Sequence, residues 1–369
     1  MNKHQTAPII AVAMSGGVDS SVAAALLLEQ GHSIFGVTMR LPQARELLDG
    51  AQHAPESDEP AYLRDAQRSA DMLGIRLLVV DVRQAFRERV IQYFCEEYIA
   101  GRTPNPCVVC NPLIKFGLLF DHAAAAGAER LATGHYVKAE YQAASGRYLL
   151  RAASDAAKDQ SYFLYRLSQA QLARAIFPLG GMTKADIRER AKYFGLTHVA
   201  EKAESQENCF VANQSYQAFL QQFLSSRPKA GKILDTQGHE VGTHQGIHLF
   251  TIGQRKGLGV AFGSPRYVVE IRPDANAVVI GENHDLFASR FAVKQVNLIA
   301  VERLREPLRC RVKIRYRHAA APATVLPTAQ PDELIVALDE PQRAVTPGQS
   351  AVFYDEDALI GGGVIERTK

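Results

Sequence analysis

Several features are missing from this sequence, and each absence excludes a class of protein. The 369-residue chain has no run of consecutive apolar residues near the roughly 18 that a membrane-spanning helix requires. Its first ten residues, MNKHQTAPII, lack the charged start, the long apolar middle and the cleavage site of a secretory signal. These absences predict a cytoplasmic protein that does not act at a membrane.

Neither charge of one sign nor cysteine is abundant. The formal net charge is only +3, so composition alone does not indicate a nucleic-acid partner, and any basic surface must be local. Five cysteines in a chain of this length are not the disulfide framework of a small secreted domain. In a reducing compartment, closely spaced cysteines favour metal or redox chemistry instead.

The first 140 residues alternate strand-like and helix-like patterns. The predicted strands are IIAVAM, SIFGVTMR, IRLLVVDV and ERLATGHY, and the predicted helices are 20–30, 61–73, 84–100 and 112–126. Residues 42–60 have no clear period and are expected to form a loop. Alternation of this kind predicts an α/β fold with a parallel, Rossmann-like sheet covered by helices.

The remainder of the chain predicts two further domains. Residues 161–224 are mostly helical in pattern, with Thr183 and Asp186 spaced as a helix-capping pair. Beyond Pro228, glycine and short β-rich runs dominate, and alternating strands follow from 290. We therefore expect a catalytic domain with a helical extension at 1–224, a small central β-rich domain at 225–285, and a C-terminal β-barrel at 286–369.

The segment MSGGVDSS, residues 14–21, joins the first strand to the first helix. Such a turn gathers free backbone N–H groups and the positive end of a helix dipole, which favours a phosphate ligand. No Lys-Ser/Thr pair follows the second glycine, which excludes a Walker A loop, and adjacent Gly16 and Gly17 exclude the dinucleotide fingerprint. Asp19 in the turn is explained if it helps to hold Mg²⁺ on the phosphates. An ordinary strand-to-helix turn is the alternative.

The segment GRTPNPCVVCNPLIKFG, residues 101–117, carries the strongest chemical signal. Its prolines predict an extended, rigid loop that presents Cys107 and Cys110. A C-x-x-C pair fits a redox couple, metal ligands, or a nucleophile with a helper. No second C-x-x-C is present to complete a four-ligand zinc site.

The other three cysteines give weaker signals. Cys95 lies in an amphipathic helical pattern, and Cys310 alternates with apolar residues of a strand, so both are expected to be packing thiols. Cys209, in SQENCFV, follows a polar stretch and precedes an apolar one. Taken alone, it is most simply a buried thiol.

The segment 301–317, VERLREPLRCRVKIRYR, concentrates positive charge, with seven Arg or Lys against two Glu. From 309 onward the basic residues alternate with apolar ones, which predicts a strand with one basic face. A solvated strand face is one interpretation. In a chain of such low net charge, phosphate contacts are the better one, with Tyr316 able to stack on an RNA base.

Eight motifs occur in an order that identifies a family resemblance. They are MSGGVDSS, TPNPCVVCN with IKFG, ATGHYV, KDQSYFLYRL, SQENCFV, TIGQRKGLGV, PQRAVTPGQSAVFYD and GGGVI. In this order they resemble the tRNA-specific 2-thiouridylases of the ATP-pyrophosphatase superfamily, from residue 9 to about residue 366. The resemblance implies a sulfurtransferase that uses ATP to adenylate the C2 oxygen of the tRNA wobble uridine and then replaces that oxygen with sulfur.

The resemblance also implies roles for individual residues. The residues implied to bind ATP are Ala13, Met14, Ser15, Gly16, Gly17, Val18, Asp19, Ser20, Met39 and Gly134. Those implied to contact tRNA are His135, Lys158, Asp159, Gln160, Arg315, Tyr316 and Gln349, with Asn105, Pro106 and Cys107 facing the target base. The implied substrates are tRNAs for Glu, Gln and Lys, and a cysteine desulfurase or sulfur relay protein is the implied donor.

Two mechanisms remain open for the sulfur step. In the persulfide mechanism Cys209 carries the transferable sulfur and Cys110 attacks it, which leaves a Cys110–Cys209 disulfide. Many family members have Asp where this chain has Cys107, so the three cysteines could instead hold a [4Fe–4S] cluster with one open iron. Two other functions compete: an ATP-pyrophosphatase ligase for a small molecule, which leaves the cysteines unexplained, and a non-catalytic RNA-binding protein, which leaves the glycine loop unexplained.

Overall fold

The computed structural model describes residues 8–43, 59–202, 209–211, 215–224, 229–260 and 263–367. Most of the expected loop 42–60 lies outside these residues. The chain divides into two compact units. The first contains 1–89, 107–212 and 357–359, and the second contains 90–106, 213–356 and 360–369.

The first unit is built on short strands and helices. Its strands are β1 (Ile10–Ala13), β2 (Ile34–Arg40), β3 (Leu77–Asp81), β4 (Arg130–Thr133), β5 (Lys138–Gln142), β6 (Arg147–Arg151) and β7 (Ala175–Ile176). Its helices are α1 (Val18–Glu29), Ala61–Met72, Arg83–Phe86, Phe120–Ala125, Gln169–Leu172, Lys184–Tyr193 and Thr197–Ala200, with a 3-10 turn at Ser161–Phe163. A π-helical stretch, Arg87–Ile91, follows Arg83–Phe86 directly in the chain.

Five of these strands form a parallel sheet, as the sequence predicts. The order is β3-β2-β1-β4-β7, and Ala13 at the end of β1 lies opposite Val37 of β2 and Thr133 of β4. Strand β1 is flanked by β2 on one side and β4 on the other, so the chain order reverses there. Ligands of open α/β sheets bind in the crevice at such a point, outside the carboxyl ends of the strands. The α/β class is confirmed, and this edge is where the site is to be sought.

The cysteine segment differs from its prediction. Only residues 102–105 are extended, and Pro106–Cys110 forms an α-helix that continues through a π-helix, Asn111–Leu119, into Phe120–Ala125. We call the whole of Pro106–Ala125 the cysteine helix. The expected rigid loop around both cysteines is therefore wrong, because Pro106 is well suited to a first helical turn, where its missing N–H costs nothing.

The cysteine helix is also the one stretch of the described residues that is long and apolar enough, by length and composition, to cross a membrane. This is weak evidence, since core helices of soluble proteins pass the same test. Half of the helix is buried within the protein. We interpret it as a core helix of the first unit.

The second unit contains the predicted β-rich parts of the chain. It holds the helices Gln92–Ile99 and Tyr216–Phe223, 3-10 turns at Ile247–Leu249 and Asn283–Leu286, and the strands β8 (Gly231–Leu234), β9 (Glu240–His244), β10 (Tyr267–Arg272), β11 (Ala277–Gly281), β12 (Phe287–Leu298), β13 (Leu308–Lys313), β14 (Ala321–Pro327), β15 (Leu334–Arg343), β16 (Ser350–Asp355) and most of β17 (Ala358–Glu366). Strands β8–β11 form one sheet in the order β10-β11-β8-β9.

Strands β12 to β17 close into a barrel. The order is β12-β15-β14-β13-β16-β17, and β12 pairs with β17 as well as with β15. Val312, Val336 and Phe353 lie in its core with almost no exposure. Closure pairs β12 on both sides, which protects that strand from edge-to-edge association. The predicted C-terminal barrel is confirmed, whereas the domain boundaries at 224 and 285 stay predictions.

The basic segment of the barrel is more complex than one strand face. Cys310, Val312 and Ile314 point inward as expected, but β13 ends at Lys313, and 315–317 lie in a turn. The expectation of a continuous basic strand face from 309 to 317 is therefore wrong. Arg309 pairs with Asp339, and the Lys313 ammonium lies 5.5 Å from the centre of the Tyr316 ring.

The predicted cap at Thr183 is confirmed and gives a test of local stability. Thr183 Oγ1 accepts a hydrogen bond from Asp186 N at 3.2 Å, and Asp186 Oδ2 accepts one from Thr183 N at 2.7 Å. Thr183→Ala should lower the free energy of unfolding by about 1 kcal/mol, because it leaves helix N–H groups unsatisfied. A urea titration would show this, and Thr183→Ser, which keeps the hydroxyl, should stay near wild type. Equal midpoints for all three proteins would contradict the cap's role.

Candidate active site

The glycine loop, residues 14–17, has a conformation that only glycine satisfies at its centre. Gly16 has φ +72°, in the left-handed region. A Cβ atom at Gly16 would lie 2.2 Å from the carbonyl oxygen of Tyr62, so the loop backbone touches the start of helix Ala61–Met72. Any larger residue at Gly16 would have to displace this backbone. The second half of the turn, at Gly17, has an ordinary extended conformation.

The N-terminus of α1 is free of capping side chains. Its N-cap is Gly17, and no side-chain hydrogen bond caps the helix. The hydroxyls of Ser20 and Ser21 donate instead to the carbonyl oxygen of Gly17, at 3.1 and 3.0 Å. Ser20 Oγ also accepts a hydrogen bond from Ser15 N at 3.1 Å, which fixes the loop. An ordered loop before an uncapped helix start leaves N–H groups and a positive dipole for an anion.

Asp19 is held by two residues that the sequence analysis did not single out. Its Oδ1 accepts hydrogen bonds from the Tyr136 hydroxyl at 2.6 Å and from Lys184 Nζ at 2.7 Å. Within the described residues, Oδ2 accepts no hydrogen bond, and the side chain is about one-third exposed. Lys184 begins the helix capped by Thr183. The loop carboxylate therefore has an ammonium beside it and one oxygen left for a cation.

The three residues that follow β4 connect the glycine loop with the cysteine helix. A Cβ atom at Gly134 would lie 2.8 Å from Ser20 N, so β4 ends directly against the start of α1. His135 Nε2 lies 3.4 Å from Lys115 Nζ of the cysteine helix. Tyr136 is the residue that donates to Asp19. The phosphate loop and the cysteine helix thus meet at one tripeptide.

The remaining residues implied to bind ATP lie along the same edge of the sheet. Ala13 ends β1, and Met14 is buried beneath the loop. Met39 is half-buried near the end of β2, where its carbonyl oxygen accepts a hydrogen bond from the Tyr62 hydroxyl at 3.2 Å. Tyr62 thus borders both the loop and Met39. The structure brings the implied set together, and Tyr62 is an addition to it.

The three cysteines of the chemical motifs differ in exposure. Cys107 and Cys209 have accessible surface, whereas Cys110 is buried. Burial raises the pKa of the Cys110 thiol to about 12 and that of Cys209 to about 11, and it also raises the pKa of Cys107. Charge on Cys209 and Cys107 would raise the pKa of Cys110 further. At neutral pH all three are therefore protonated.

Lys115 is the positive charge that opposes the rise of the thiol pKa values. Its ammonium lowers the pKa of each of the three thiols, although burial has the larger effect. Lys115 follows Cys110 by five residues, a separation that a π-helix, with its i to i+5 hydrogen bonds, places on one face. Its partner His135 is neutral, because burial holds the pKa of that imidazole well below its usual value. His135 Nδ1 is in turn 2.8 Å from Thr133 Oγ1.

Asn111 fixes the cysteine helix to the KDQSYF segment. Its side chain is 1% exposed, and Nδ2 donates to the carbonyl oxygen of Phe163 at 3.0 Å. Its Oδ1 has no hydrogen-bond partner among the described residues. Sequence reasoning quoted Asn111 and Lys115 within a motif but gave them no role. For Lys115 the signal was its spacing of five residues from Cys110. That spacing indicates a shared helix face only once the π-helix is known.

The residues implied to contact tRNA fall into three environments. Asp159 is buried, and its carboxylate accepts hydrogen bonds from Ala153 N and Ser161 N, so it stabilises its own segment. Gln160 Oε1 accepts a hydrogen bond from Tyr136 N at 3.0 Å. Lys158, Arg315 and Tyr316 are half-buried, and Asn105 belongs to the extended stretch before the cysteine helix. Gln349 is hydrogen-bonded to the backbone of that stretch.

Of the two metal groups implied by the sequence, Mg²⁺ fits the residues of this site and a [4Fe–4S] cluster does not. Among the described residues, no three His, Cys, Asp or Glu side chains are arranged to hold a metal ion. The cysteines as placed therefore do not form the ligand set of a [4Fe–4S] cluster. Magnesium needs less from the protein, since it is usually held by one or two carboxylates together with substrate phosphates. Asp19 at the phosphate loop fits that requirement.

The other two cysteines are packing residues, as expected. Cys95 and Cys310 are 3% and 7% exposed, and burial raises the pKa of each thiol to about 12. Cys95 lies in the helix Gln92–Ile99, and Cys310 lies in the barrel core. Neither contributes to the site.

Comparisons with known proteins find matches along nearly the whole chain. Residues 9–213 match the family profile described as tRNA methyl transferase HUP domain, residues 217–282 its PRC-barrel domain, and residues 288–365 the aminomethyltransferase beta-barrel domain. The tRNA-specific 2-thiouridylase MnmA of Solibacter usitatus is 47% identical, over 97% of this chain and 99% of that one. The enzyme of the same name from Koribacter versatilis is 46% identical, over 99% and 100%.

One solved structure is similar to a part of the chain. A 4-thiouridine synthetase in complex with RNA and bound ATP aligns with 58% of this chain and 50% of its own, at 19% identity and a TM-score of 0.36. A similarity this slight carries no argument about function. The close relatives are the informative comparison.

The exposures and pKa values of the thiols give a labelling prediction. In the native protein, iodoacetamide should modify Cys107 and Cys209 first and leave Cys95 and Cys310 untouched until the chain is unfolded. Because the pKa values are raised, the thiolate fraction and the labelling rate should increase about tenfold for each pH unit between 7 and 9. Mass spectrometry of digested samples measures this, and a Cys95→Ser, Cys310→Ser variant should label identically. A rate independent of pH would contradict the raised pKa values.

Proposed function

The chain belongs to the family of the tRNA-specific 2-thiouridylases, and from this premise we propose how its residues carry out ATP-dependent 2-thiolation of the wobble uridine of tRNA. The observation that carries the proposal is the tripeptide Gly134-His135-Tyr136. It contacts the phosphate loop at Ser20 and Asp19 and the cysteine helix at Lys115. ATP activation of the uridine C2 oxygen and sulfur transfer to the C2 carbon bonded to it require these two parts to be adjacent.

Sulfur transfer fits the site better than the reaction named in the family profiles. Those descriptions mention methyl transfer, whereas the full-length relatives are named 2-thiouridylases. A thiolation enzyme needs an ATP site to activate an oxygen and sulfur-bearing residues to replace it. The glycine loop and the three thiols supply both. A small-molecule ligase would not need the cysteines, and a non-catalytic RNA-binding protein would not need the loop.

The glycine loop and α1 handle the activation step. The uncapped N–H groups of α1 bind the phosphates of ATP, and Asp19 would hold the Mg²⁺ that neutralises them. The uridine C2 oxygen attacks the α-phosphorus, a P–O bond to pyrophosphate breaks, and the oxygen becomes part of an adenylate. The C2 oxygen alone is a poor leaving group, but after adenylation it can depart as part of AMP. Lys184, already beside Asp19, adds positive charge where pyrophosphate accumulates.

The cysteines carry out the sulfur step through a persulfide. The terminal sulfur of a Cys209 persulfide bonds to C2, and AMP departs with the former oxygen. The Cys110 thiolate then attacks the Cys209 sulfur, which breaks the sulfur–sulfur bond to the nucleotide and forms a Cys110–Cys209 disulfide. External thiols return two electrons to restore both cysteines. Phe210 and Val211 are buried beside Cys209, and the Phe210 ring packs on Phe86, which anchors this residue.

Lys115 provides the anion stabilisation that buried thiols require. Removing a proton from Cys110 is unfavourable in this environment, since its pKa is raised to about 12. An ammonium near the thiol offsets part of that cost and also stabilises the sulfur anion during transfer. The neutral His135 accepts a hydrogen bond from Lys115 and thereby orients it without competing for charge.

The RNA is bound by surfaces outside the catalytic loop. Arg315 supplies a phosphate contact, and Tyr316 a stacking surface for an unpaired base of the anticodon loop. Lys158 adds positive charge on the first unit, and Asn105, Pro106 and Cys107 face the target base. The preferred substrates are tRNAs for Glu, Gln and Lys. A cysteine desulfurase or a sulfur relay protein donates the persulfide in the cytoplasm.

A pyrophosphate assay tests the proposed function. The wild-type protein should release pyrophosphate from ATP only when a tRNA with a wobble uridine is present. Asp19→Asn should abolish this release and leave tRNA binding within about twofold, because the loop binds ATP and not RNA. A matched control is Asp65→Asn, which removes another Asp–Lys ion pair of the same unit, with Lys202, and should retain activity.

The outcomes of that assay separate the candidate functions. Release without tRNA would favour a small-molecule ligase. Tight tRNA binding with no release under any condition would favour a non-catalytic RNA-binding protein. Full activity in Asp19→Asn would remove Asp19 from the ATP site but leave the reaction assigned.

Cys107 distinguishes the two sulfur mechanisms. If the persulfide mechanism operates, Cys107→Ser purified in air and free of iron should keep most of its single-turnover thiolation when given persulfide. If a cluster operates, the same variant should lose iron and activity together, because oxygen ligates an iron–sulfur cluster poorly. Cys107→Asp, the residue of many family members, should be active in either case. Iron and sulfide analysis with an absorption spectrum completes the measurement.

A further inference from the structure

The stretch before the cysteine helix, residues 102–105, is held by the C-terminal barrel. The barrel binds both backbone polar atoms of one residue, Thr103. Thr103 N donates to the carbonyl oxygen of Pro347 at 2.8 Å. Thr103 O accepts a hydrogen bond from Gln349 Nε2 at 2.9 Å. The same Nε2 lies 3.5 Å from the carbonyl oxygen of Pro104. All of these residues belong to the second compact unit.

The barrel segment that makes these contacts, 344–349, has a strained backbone. Ala344 has φ +56° and Gly348 has φ +89°, although Ala344 is not a glycine. A Cβ atom at Gly348 would lie 2.8 Å from Thr103 N and 3.0 Å from Arg102 Cβ. Left-handed conformations are unfavourable for non-glycine residues and persist where the surroundings impose them, often at functional sites. The turn is shaped to let the stretch approach closely.

Two further contacts hold the chain immediately before Thr103. The Arg102 guanidinium donates to both oxygens of Glu366, at 2.7 and 2.8 Å, and to Glu97 at 2.8 Å. A Cβ atom at Gly101, with φ +68°, would lie 2.9 Å from the Ile271 side chain. Gly101, Pro347 and Glu366 also line a cavity of about 200 Å³, so close packing does not fill the space there. Hydrogen bonds therefore carry much of the positioning.

We propose that segment 344–349, together with Glu366, is a brace that fixes residues 102–106 in the conformation that presents the base-facing residues, and that Gln349 is a positioning residue of the thiolation reaction. The proposal rests on the function given above, because the stretch has a substrate to present only if Asn105, Pro106 and Cys107 face the target uridine. Asn105 follows the braced Thr103 by two residues, and the cysteine helix begins directly after it.

The hydrogen bonds of Gln349 argue for positioning over direct RNA binding. Its amide group donates to carbonyl oxygens of the protein's own backbone, so these donors are not available to phosphates. A stretch with prolines at 104 and 106 has few N–H groups of its own and depends on outside partners for its carbonyl groups. The brace supplies them. The brace thereby gives barrel residues of the second unit a role in shaping residues 102–106 of the same unit.

The test compares three substitutions in the full-length protein. Gln349→Met removes the amide but keeps the length of the side chain. Gln342→Met is the matched control, since that glutamine also donates to a carbonyl oxygen, that of Glu340, but does not hold the stretch. Arg315→Ala serves as the comparison for a lost phosphate contact. Each protein is measured for tRNA affinity, for single-turnover thiolation at saturating tRNA, and for amide hydrogen exchange at Thr103, Asn105 and Cys107.

The brace predicts a distinct pattern. Gln349→Met should lower the single-turnover rate by about ten- to a hundredfold with tRNA affinity within about twofold, because a displaced reacting group costs rate and not binding. Exchange at Thr103 and Asn105 should accelerate. Arg315→Ala should weaken tRNA binding and flatten its salt dependence, with unchanged exchange. Gln342→Met should match wild type throughout.

Two results would overturn the brace. One is weaker tRNA binding by Gln349→Met with a normal rate at saturation, which would make Gln349 an RNA contact. The other is unchanged exchange at Thr103 and Asn105, which needs no catalytic activity to observe. If the wild-type protein itself fails to thiolate tRNA, the proposed function fails, and the exchange measurement still decides whether Gln349 holds the stretch. Gly348→Ala, which would push against Thr103 N, should increase exchange in the same peptide.

Discussion

The close approach of β4 to the start of α1 is the contact on which the rest of the active site depends. It is possible only because Gly134 has no side chain, since a Cβ atom there would collide with the backbone at Ser20. Once β4 ends at that point, the next two residues reach in opposite directions. His135 contacts Lys115 on the cysteine helix, and Tyr136 contacts Asp19 in the first turn of α1, directly after the glycine loop. A displacement of β4 would therefore disturb the contacts of Asp19 and of Lys115 together.

The electrostatics of the site follow from burial opposed by two lysines. Burial raises the pKa of the Cys110 and Cys209 thiols, which protects them from oxidation and metal capture but makes them poor nucleophiles at rest. Lys115 offsets part of that effect near the sulfur atoms, and Lys184 places a second ammonium at the phosphate loop. Under the proposed function, the two charges would serve the two anions of the reaction, a sulfur anion and pyrophosphate.

Local sequence patterns were reliable where the chemistry is local. The parallel strands, the glycine turn, the Thr183 cap and the inward alternation of Cys310 all depend on residues within a few positions of one another. Local patterns failed for the cysteine segment, because prolines at 104, 106 and 112 favour extended backbone in isolation. In the folded chain Pro106 takes the first helical turn, and Pro112 lies in a π-helix whose carbonyl at that residue accepts a hydrogen bond from Gln171. Packing decided between two local preferences.

The sequence by itself determined the fold class and predicted the phosphate loop and the candidate reactive thiols, since each depends on residue type and short spacing. Only the tertiary structure decided which residues serve them. Tyr136 and Lys184 lie 117 and 165 positions from Asp19, and Gln349 lies 246 from Thr103. No periodicity in a chain reports such separations. They are set by strand order, by the π-helical turn that brings Lys115 to the cysteine face, and by the barrel turn that fits Thr103.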